Sequence, residues 1–251
     1  MTELPQPGAA SALFFDFDGT LVDLAPKPDL IVMPADLPHK LDRLAGRFGG
    51  ALALVSGRPL DQIDHWLRPL RLPVAGVHGS ERRSFDGRLT RLEVPELAAL
   101  ADRLQVWCDA HPGLLLERKP AAIALHFRGA DELEVACVCA MEAAALELPN
   151  FSLMRGKKVL ELKPTAANKG AALRAFLGEV PFAGRRPYFF GDDVTDEAGF
   201  EAIREFDGVA VKVGAGESLA PFRLPDPAAV LRWIDQVLAS GRNESFEVAV
   251  D

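Results

Sequence analysis

The chain is poor in cysteine and short of positive charge. Cys108, Cys137 and Cys139 are the only cysteines among 251 residues. An odd count without regular spacing argues against a disulfide framework. Buried, reduced thiols in a cytoplasmic protein are the expectation. No CxxC pair exists to build a thiolate zinc site, and the five histidines are scattered, with no HExxH pair. No apolar run approaches the ~18 residues of a membrane span. Residues 1–5 lack the basic and apolar regions of a signal peptide. Acids outnumber bases, 36 to 28, for a formal net charge of -8. That balance disfavours nucleic acid and anionic membranes as partners. It still allows a small anionic substrate, because a local cation inverts the field of one pocket. There is no internal repeat and no low-complexity tract.

What is present is a core. The hydrophobic share is 49%, enough for one large α/β domain with a smaller second one. Residues 1–10 read as a loose leader. A strand over 12–16, a helix over 36–48 capped by Asp36, a strand over 51–55, a helix after Pro59 and a strand over 74–77 follow in turn. Continuous apolar strands alternating with helices predict a parallel sheet covered on both faces. Residues 90–163 break that rhythm. They read as helix, hairpin (114–119 with 122–128), helix, hairpin (151–155 with 159–163), a small α+β insert. The alternation then resumes with a helix over 168–177 and strands over 188–192 and 208–213. A last helix is capped by Asp226-Pro227, and a tail from Gly241 is expected to fray. The domain boundaries are therefore 1–90 with 164–251 for a catalytic core, and 91–163 for an inserted lid.

Two acidic motifs follow apolar strands. In Asp16-Phe17-Asp18-Gly19-Thr20 the two aspartates stand at i and i+2 and so share a side of the strand. Glycine beside them permits a sharp turn and close approach to a ligand. Gly191-Asp192-Asp193-Val194-Thr195-Asp196-Glu197 packs further acids behind a second strand. Favourable charge at a helix N-terminus accounts for Asp196 and Glu197. It does not account for Asp192 and Asp193 directly after an apolar run, where like charges are costly without a cation. Clustered oxygen ligands suit Mg²⁺, and a carboxylate beside such a cation can attack phosphorus. The pattern points to metal-dependent phosphoryl transfer.

Two weaker elements join them. At the end of the second strand, the Ser56 hydroxyl with Gly57 and Arg58 suits a phosphoryl oxygen, though a helix cap is equally compatible. Lys169-Gly170 opens a helix, and its lysine is a point charge for phosphate. Lys163 is its rival.

These four elements, in this order, resemble the haloacid dehalogenase superfamily of phosphohydrolases. The likeness implies a Rossmann-like core with a C2-type α+β cap. It implies Asp16 as nucleophile, Asp18 as general acid then base, and Ser56 and Lys169 as holders of the phosphoryl group. Mg²⁺ would be held by Asp16, the Asp18 carbonyl and Asp192, with Asp193 or Asp196 in support. The closer resemblance is to the trehalose-6-phosphate phosphatase family. It rests on the Gly191–Glu197 motif, Glu117-Arg118-Lys119, Ala124-Leu125-His126-Phe127-Arg128, Leu160-Glu161-Leu162-Lys163-Pro164, Lys169-Gly170 and His78-Gly79. Phe17 stands where many members carry tyrosine.

That likeness implies hydrolysis of a sugar phosphate, with Glu117, Lys119 and Glu161 on the glucose unit that bears no phosphate. Gly19, Thr20, Gly57, Arg58, His78 and Arg128 join them as substrate-binding residues. A separate trehalose-6-phosphate synthase becomes the candidate protein partner. The alternatives are another C2-capped sugar phosphatase of the sucrose-phosphate or mannosylphosphoglycerate type, a phosphomutase, and a non-catalytic sugar-phosphate sensor.

Overall fold

Apolar strands that cannot be exposed on either face dictate the architecture of the first eighty residues. The structure, a computed structural model, describes residues 4–25 and 30–240. Strands β1 (Ser11–Phe15), β2 (Leu52–Val55) and β3 (Val74–Gly76) are buried throughout. Helix α1 (Leu37–Arg47) turns Leu37, Leu41 and Leu44 inward, and α2 (Leu60–Leu67) does the same with Leu60, Ile63 and Leu67. Asp36 does not cap α1 through its side chain. Its carboxylate instead pairs with Lys40 at 3.0 Å, one helical turn on. The short strands β4 (Glu81–Arg83) and β5 (Leu89–Arg91) then extend the sheet beyond β3. Neither is foreshadowed by the sequence, because three residues are too few to carry a readable period.

The insert comprises α3 (Ala98–Asp109), β6 (Leu115–Lys119), β7 (Ala122–His126), α4 (Glu134–Ala145), β8 (Phe151–Gly156) and β9 (Val159–Pro164). Its strands form an antiparallel sheet in the order β6-β7-β9-β8. One sheet face carries Leu116, Ile123, Leu125, Leu160 and Leu162, which pack with Leu100, Leu104, Cys137 and Met141 of α3 and α4. Period-two alternation sends Glu117, Lys119, His126 and Glu161 to the other face. Cys108 and Cys137 are buried and free, but Cys139 is exposed on α4, contrary to the expected burial of all three thiols.

The core closes with α5 (Lys169–Leu177), β10 (Arg186–Gly191), α6 (Val194–Arg204), β11 (Val209–Val213), β12 (Phe222–Leu224) and α7 (Pro227–Ser240). The large sheet runs β12-β11-β10-β1-β2-β3-β4-β5, parallel from β12 to β3. Adjacent phenylalanines in β1 and β10 face opposite sides. Phe14 packs against Phe176 and Phe182, and Phe189 against Phe200. Phe15 stacks on Phe190 at 4.9 Å, and both meet Trp233 of α7. Each such buried ring contributes on the order of 2 kcal/mol.

By contacts the chain divides into two units, Met1–Thr90 with Lys169–Asp251, and Arg91–Asn168. Residues 164–168 stay with the insert: Thr165 donates to the Asn150 carbonyl at 2.9 Å and Ala167 to that of Pro164 at 2.9 Å. Within the expected leader, residues 6 and 9 are tied to the core: Tyr188 donates to the Gln6 carbonyl at 3.2 Å and Arg185 to that of Ala9 at 3.0 Å, while residues 1–3 lie outside the described residues. The tail from Gly241 lies outside the described residues. Among the described residues no helix is long and apolar enough to cross a membrane.

Candidate active site

Sheet order decides where the chemistry collects. The chain leaves β1 toward β2 on one side and later returns through β10 on the other. In open parallel sheets a crevice forms at the carboxyl ends where the order reverses. Phe15 pairs with Phe190 across β1 and β10, so the residues that follow, Asp16 and Asp192, emerge side by side. Asp16 is buried, its N–H held by the Phe190 carbonyl at 2.9 Å.

Lys169, the first residue of α5, is buried beneath them. Its Nζ donates to Asp16 Oδ1 and to Asp196 Oδ1, each at 2.7 Å. Asp196 Oδ2 in turn accepts the N–H groups of Asp192 at 2.9 Å and Asp193 at 3.0 Å, closing the first turn of α6. Lys163 lies elsewhere, in the insert, donating to the Ala167 carbonyl. Among the described residues the acids that come together are Asp16, Asp192 and Asp196, with ligand oxygens within 4.8 Å of one another. Asp193 is outside that group. Gly19 permits the assembly: its φ is +79°, and a Cβ there would sit 2.1 Å from Asp192 Oδ2.

Among the described residues, Lys169 is the side-chain ammonium bonded to this group of three carboxylates, through Asp16 and Asp196, and a single charge leaves the group under-compensated. Burial, then the charge of Asp196, pushes the Asp192 carboxyl up to about 7. Burial raises Asp16 well above its ordinary value, and Lys169 only partly offsets this. Burial works against the Lys169 ammonium, but Asp16 and Asp196 outweigh it and keep it charged. An all-oxygen donor set with unbalanced negative charge fits a hard divalent cation. Lys212 adds a boundary to the site, buried and donating to the Asp192 and Val213 carbonyls.

The second aspartate of the first motif faces another partner. Both Asp18 oxygens accept from Arg58, at 2.6 Å from Nε and 2.6 Å from Nη2. Arg58 follows Ser56 and Gly57 at the end of β2. The buried Ser56 Oγ accepts the Arg58 N–H at 3.1 Å, and the Ser56 carbonyl accepts the His78 N–H at 2.9 Å. His78 has a φ of +56° and brings its imidazole onto Gly57, where a Cβ would lie 2.7 Å from His78 Cε1. Thr20 is fully buried, and its hydroxyl has no hydrogen-bond partner among the described residues.

In the insert, Glu117, Ala124 and Glu161 lie in one cross-strand row. Ala122 and Ala124 are small enough to let the longer side chains meet above them. Lys119 Nζ donates to Glu161 Oε2 at 2.7 Å, and His126 Nε2 lies 2.9 Å from Glu117 Oε2. Burial opposes the Glu117 carboxylate, yet the His126 hydrogen bond and the Lys119 charge hold it below the usual range. Arg128, just past β7, is exposed and reaches the Lys157 carbonyl at 3.5 Å.

The profile of the trehalose-phosphatase family matches residues 14–228 of this sequence. The chain belongs to the trehalose-phosphatase family. It is 40% identical over 239 residues to the trehalose-6-phosphate phosphatase of Escherichia coli K12, covering 94% of this chain and 90% of that one. It is 44% identical over 234 residues to a probable trehalose-phosphate phosphatase of Sinorhizobium fredii, covering 91% and 87%. A crystal structure of a trehalose-6-phosphate phosphatase related protein superposes with a TM-score of 0.80 at 28% identity, covering 93% of this chain and all of that one. The fold of this trehalose-phosphatase family member is that of the haloacid dehalogenase-like hydrolases, and the protein is a phosphomonoesterase.

Sequence reasoning on this member of the family left Asp193 and Asp196 as equal candidates for the acidic group and overlooked Lys212. Lys212 had a signal: it interrupts the otherwise apolar, buried strand Val209–Val213. A lysine there must find oxygen partners.

Proposed function

We propose that the protein hydrolyses trehalose 6-phosphate to trehalose and inorganic phosphate through a phosphoryl group carried on Asp16. One observation carries this reading: buried Asp16 shares Lys169 with Asp196 and lies beside Asp192 at the paired ends of β1 and β10. In the first step an Asp16 carboxylate oxygen attacks phosphorus, and the bond from phosphorus to the sugar O6 breaks. Asp18 gives that oxygen its proton, and trehalose leaves. Asp18, now a carboxylate, takes a proton from water as the water oxygen attacks phosphorus. The bond to Asp16 breaks, phosphate leaves, and both aspartates return to their starting states. Lys169 and the Ser56 hydroxyl hold the non-bridging oxygens. Asp16, the Asp18 carbonyl and Asp192, with Asp196 in support, would hold Mg²⁺, which would supply the positive charge that phosphoryl transfer demands.

Substrate choice is assigned to the polar face of the insert's sheet. Lys119 and Glu161 pre-orient each other, as do Glu117 and His126. Together they offer donors and acceptors to the hydroxyls of the second glucose ring. Arg128 and His78 are assigned supporting contacts to substrate. A separate trehalose-6-phosphate synthase supplies the substrate in this reading, and the reaction takes place in the cytoplasm.

The test is phosphate release from a panel of sugar phosphates with Mg²⁺ and with EDTA. Release from trehalose 6-phosphate, abolished by EDTA, is the expected outcome. Glu117→Ala should lower selectivity over glucose 6-phosphate by about tenfold, the scale of one lost hydrogen bond to a charged group. Preferential release from sucrose 6-phosphate, or no release at all, would overturn the reading.

A further inference from the structure

Glu81 is a buried acid with no part in the proposed reaction. It lies on β4 opposite Gly76 of β3, and its Oε1 accepts the Leu60 N–H at 2.7 Å. Leu60 is the first residue of α2, and Pro59 before it has no side chain that can cap the helix. The first N–H groups of a helix have no acceptor within the helix. Glu81 therefore supplies, from a separate strand, what a local serine or aspartate supplies at an ordinary helix start.

The same segment holds the loop that precedes α2. Ser56 donates its N–H to the Ala75 carbonyl at 2.8 Å. The His78 N–H reaches the Ser56 carbonyl at 2.9 Å, and the Val77 N–H reaches that of Arg58 at 3.0 Å. The approach is close enough to require Gly76. A Cβ there would lie 2.9 Å from the Arg58 oxygen, 3.0 Å from the Leu60 nitrogen and 3.1 Å from Glu81 Oε1. Val77 and His78 adopt left-handed backbone, with φ of +47° and +56°. That conformation is unfavourable for a β-branched residue, and it persists only where neighbouring contacts fix it.

This anchoring reaches Ser56. Its Oγ accepts the Arg58 N–H at 3.1 Å, which leaves the hydroxyl proton for a phosphoryl oxygen. Pro59 alone separates Arg58 from Leu60, and its ring fixes φ, here −61°. A shift of the Leu60 N–H is thus passed along a stiff link to Arg58 and to the hydroxyl bonded to it. Without Glu81 that buried N–H has to move to find an acceptor.

We propose that Glu81 is a positioning residue: by holding the first N–H of α2, it sets the Ser56 hydroxyl against the phosphoryl group. The inference rests on the reading of Ser56 as a holder of a non-bridging oxygen.

The experiment is a double-mutant cycle on the full chain at saturating Mg²⁺. It measures kcat/KM for trehalose 6-phosphate and, by calorimetry, the affinity for inorganic phosphate. Ser56→Ala should lower both about 10- to 100-fold, the scale of one hydrogen bond to a charged group. Glu81→Met keeps the length and removes the acceptor, and should lower both about tenfold. Added to Ser56→Ala, the same change should cost less than about threefold in each, because residues that act through one another are not additive. Glu81→Gln, which keeps an acceptor oxygen, should recover most of the loss. Glu81→Asp, which withdraws that oxygen by one methylene, should show the same non-additivity and carries the test if Glu81→Met does not fold.

Equal losses from Glu81→Met with and without the Ser56 hydroxyl would mean that Glu81 serves stability alone. That result would overturn the proposal and leave the role of Ser56 intact. An unchanged phosphate affinity in Glu81→Met would overturn it as well. If Ser56→Ala leaves both quantities unchanged, the reading of Ser56 fails, and the proposal with it.

Discussion

Replacing Lys169 with methionine removes the ammonium that is bonded to Asp16 and Asp196. The stem keeps its length, so the perturbation is almost purely electrostatic. Two contacts of 2.7 Å are lost, to Asp16 and Asp196, and three carboxylates stay within 4.8 Å of one another. Removing one partner of a buried ion pair costs about 3–5 kcal/mol. At about 2–4 °C per kcal/mol for a chain of this size, Tm should fall by roughly 10 °C at pH 8 without divalent metal.

The pH dependence supplies the sharper criterion. Asp16 already holds its proton above the unfolded value of 3.8 because of burial, and Lys169 is the group that lowers it. Without Lys169 its folded pKa rises further. A folded pKa above the unfolded one means the folded state binds more protons across the window between them. Stability then falls as pH rises through that window. The deficit relative to wild type should therefore grow from pH 5 toward pH 8, on top of the loss of the Asp196 contact. Thermal melts followed by circular dichroism at pH 5, 6, 7 and 8 in EDTA measure it. A deficit below about 1 kcal/mol at pH 8, the range of a solvent-exposed pair, or one equal at pH 5 and pH 8, would refute the argument.

Two further outcomes follow from the same crevice. Gly19→Ala should cost about 1–2 kcal/mol for a left-handed alanine. Its methyl, 2.1 Å from Asp192 Oδ2, should also displace that carboxylate; a Mg²⁺ affinity by calorimetry equal to wild type would contradict this. Divalent-cation binding should weaken about tenfold per pH unit below 7, because protons compete for Asp192, whose carboxyl burial and Asp196 raise to about 7. The sign for the metal-free protein is the reverse: the Asp192 contribution to stability is lost as pH rises from about 4 to about 7. Mg²⁺ titrations at pH 5.5, 6.5 and 7.5 that return one affinity would exclude that linkage.

Much of this molecule was legible from local pattern. Leu13–Phe15 and Tyr188–Phe190 read as core strands because a strand buried on both faces must be apolar at every position. The insert's hairpins read from alternation: Glu117 with Lys119, and Glu161 between Leu160 and Leu162, announced a polar face. The acidic motifs stood out because carboxylates directly after apolar strands demand compensation. The short strands β4, β5 and β12 were not legible. At three residues each they have no period to recognise, and partners select them.

The sequence by itself determined the element types, the faces of the insert and the residue kinds at each strand end. Only the tertiary structure decided which of those residues meet. The parallel register of β1 with β10 brought Asp16 beside Asp192, and the turn into α6 then chose Asp196 over Asp193. The pairing of β1 with β2 brought Arg58 to Asp18 across forty residues of sequence, and α2 supplied Trp66 to the same cation. The division has a physical cause. A side chain's burial follows from the period of its own element, but its charge partner is set by the register of strands far apart in the chain.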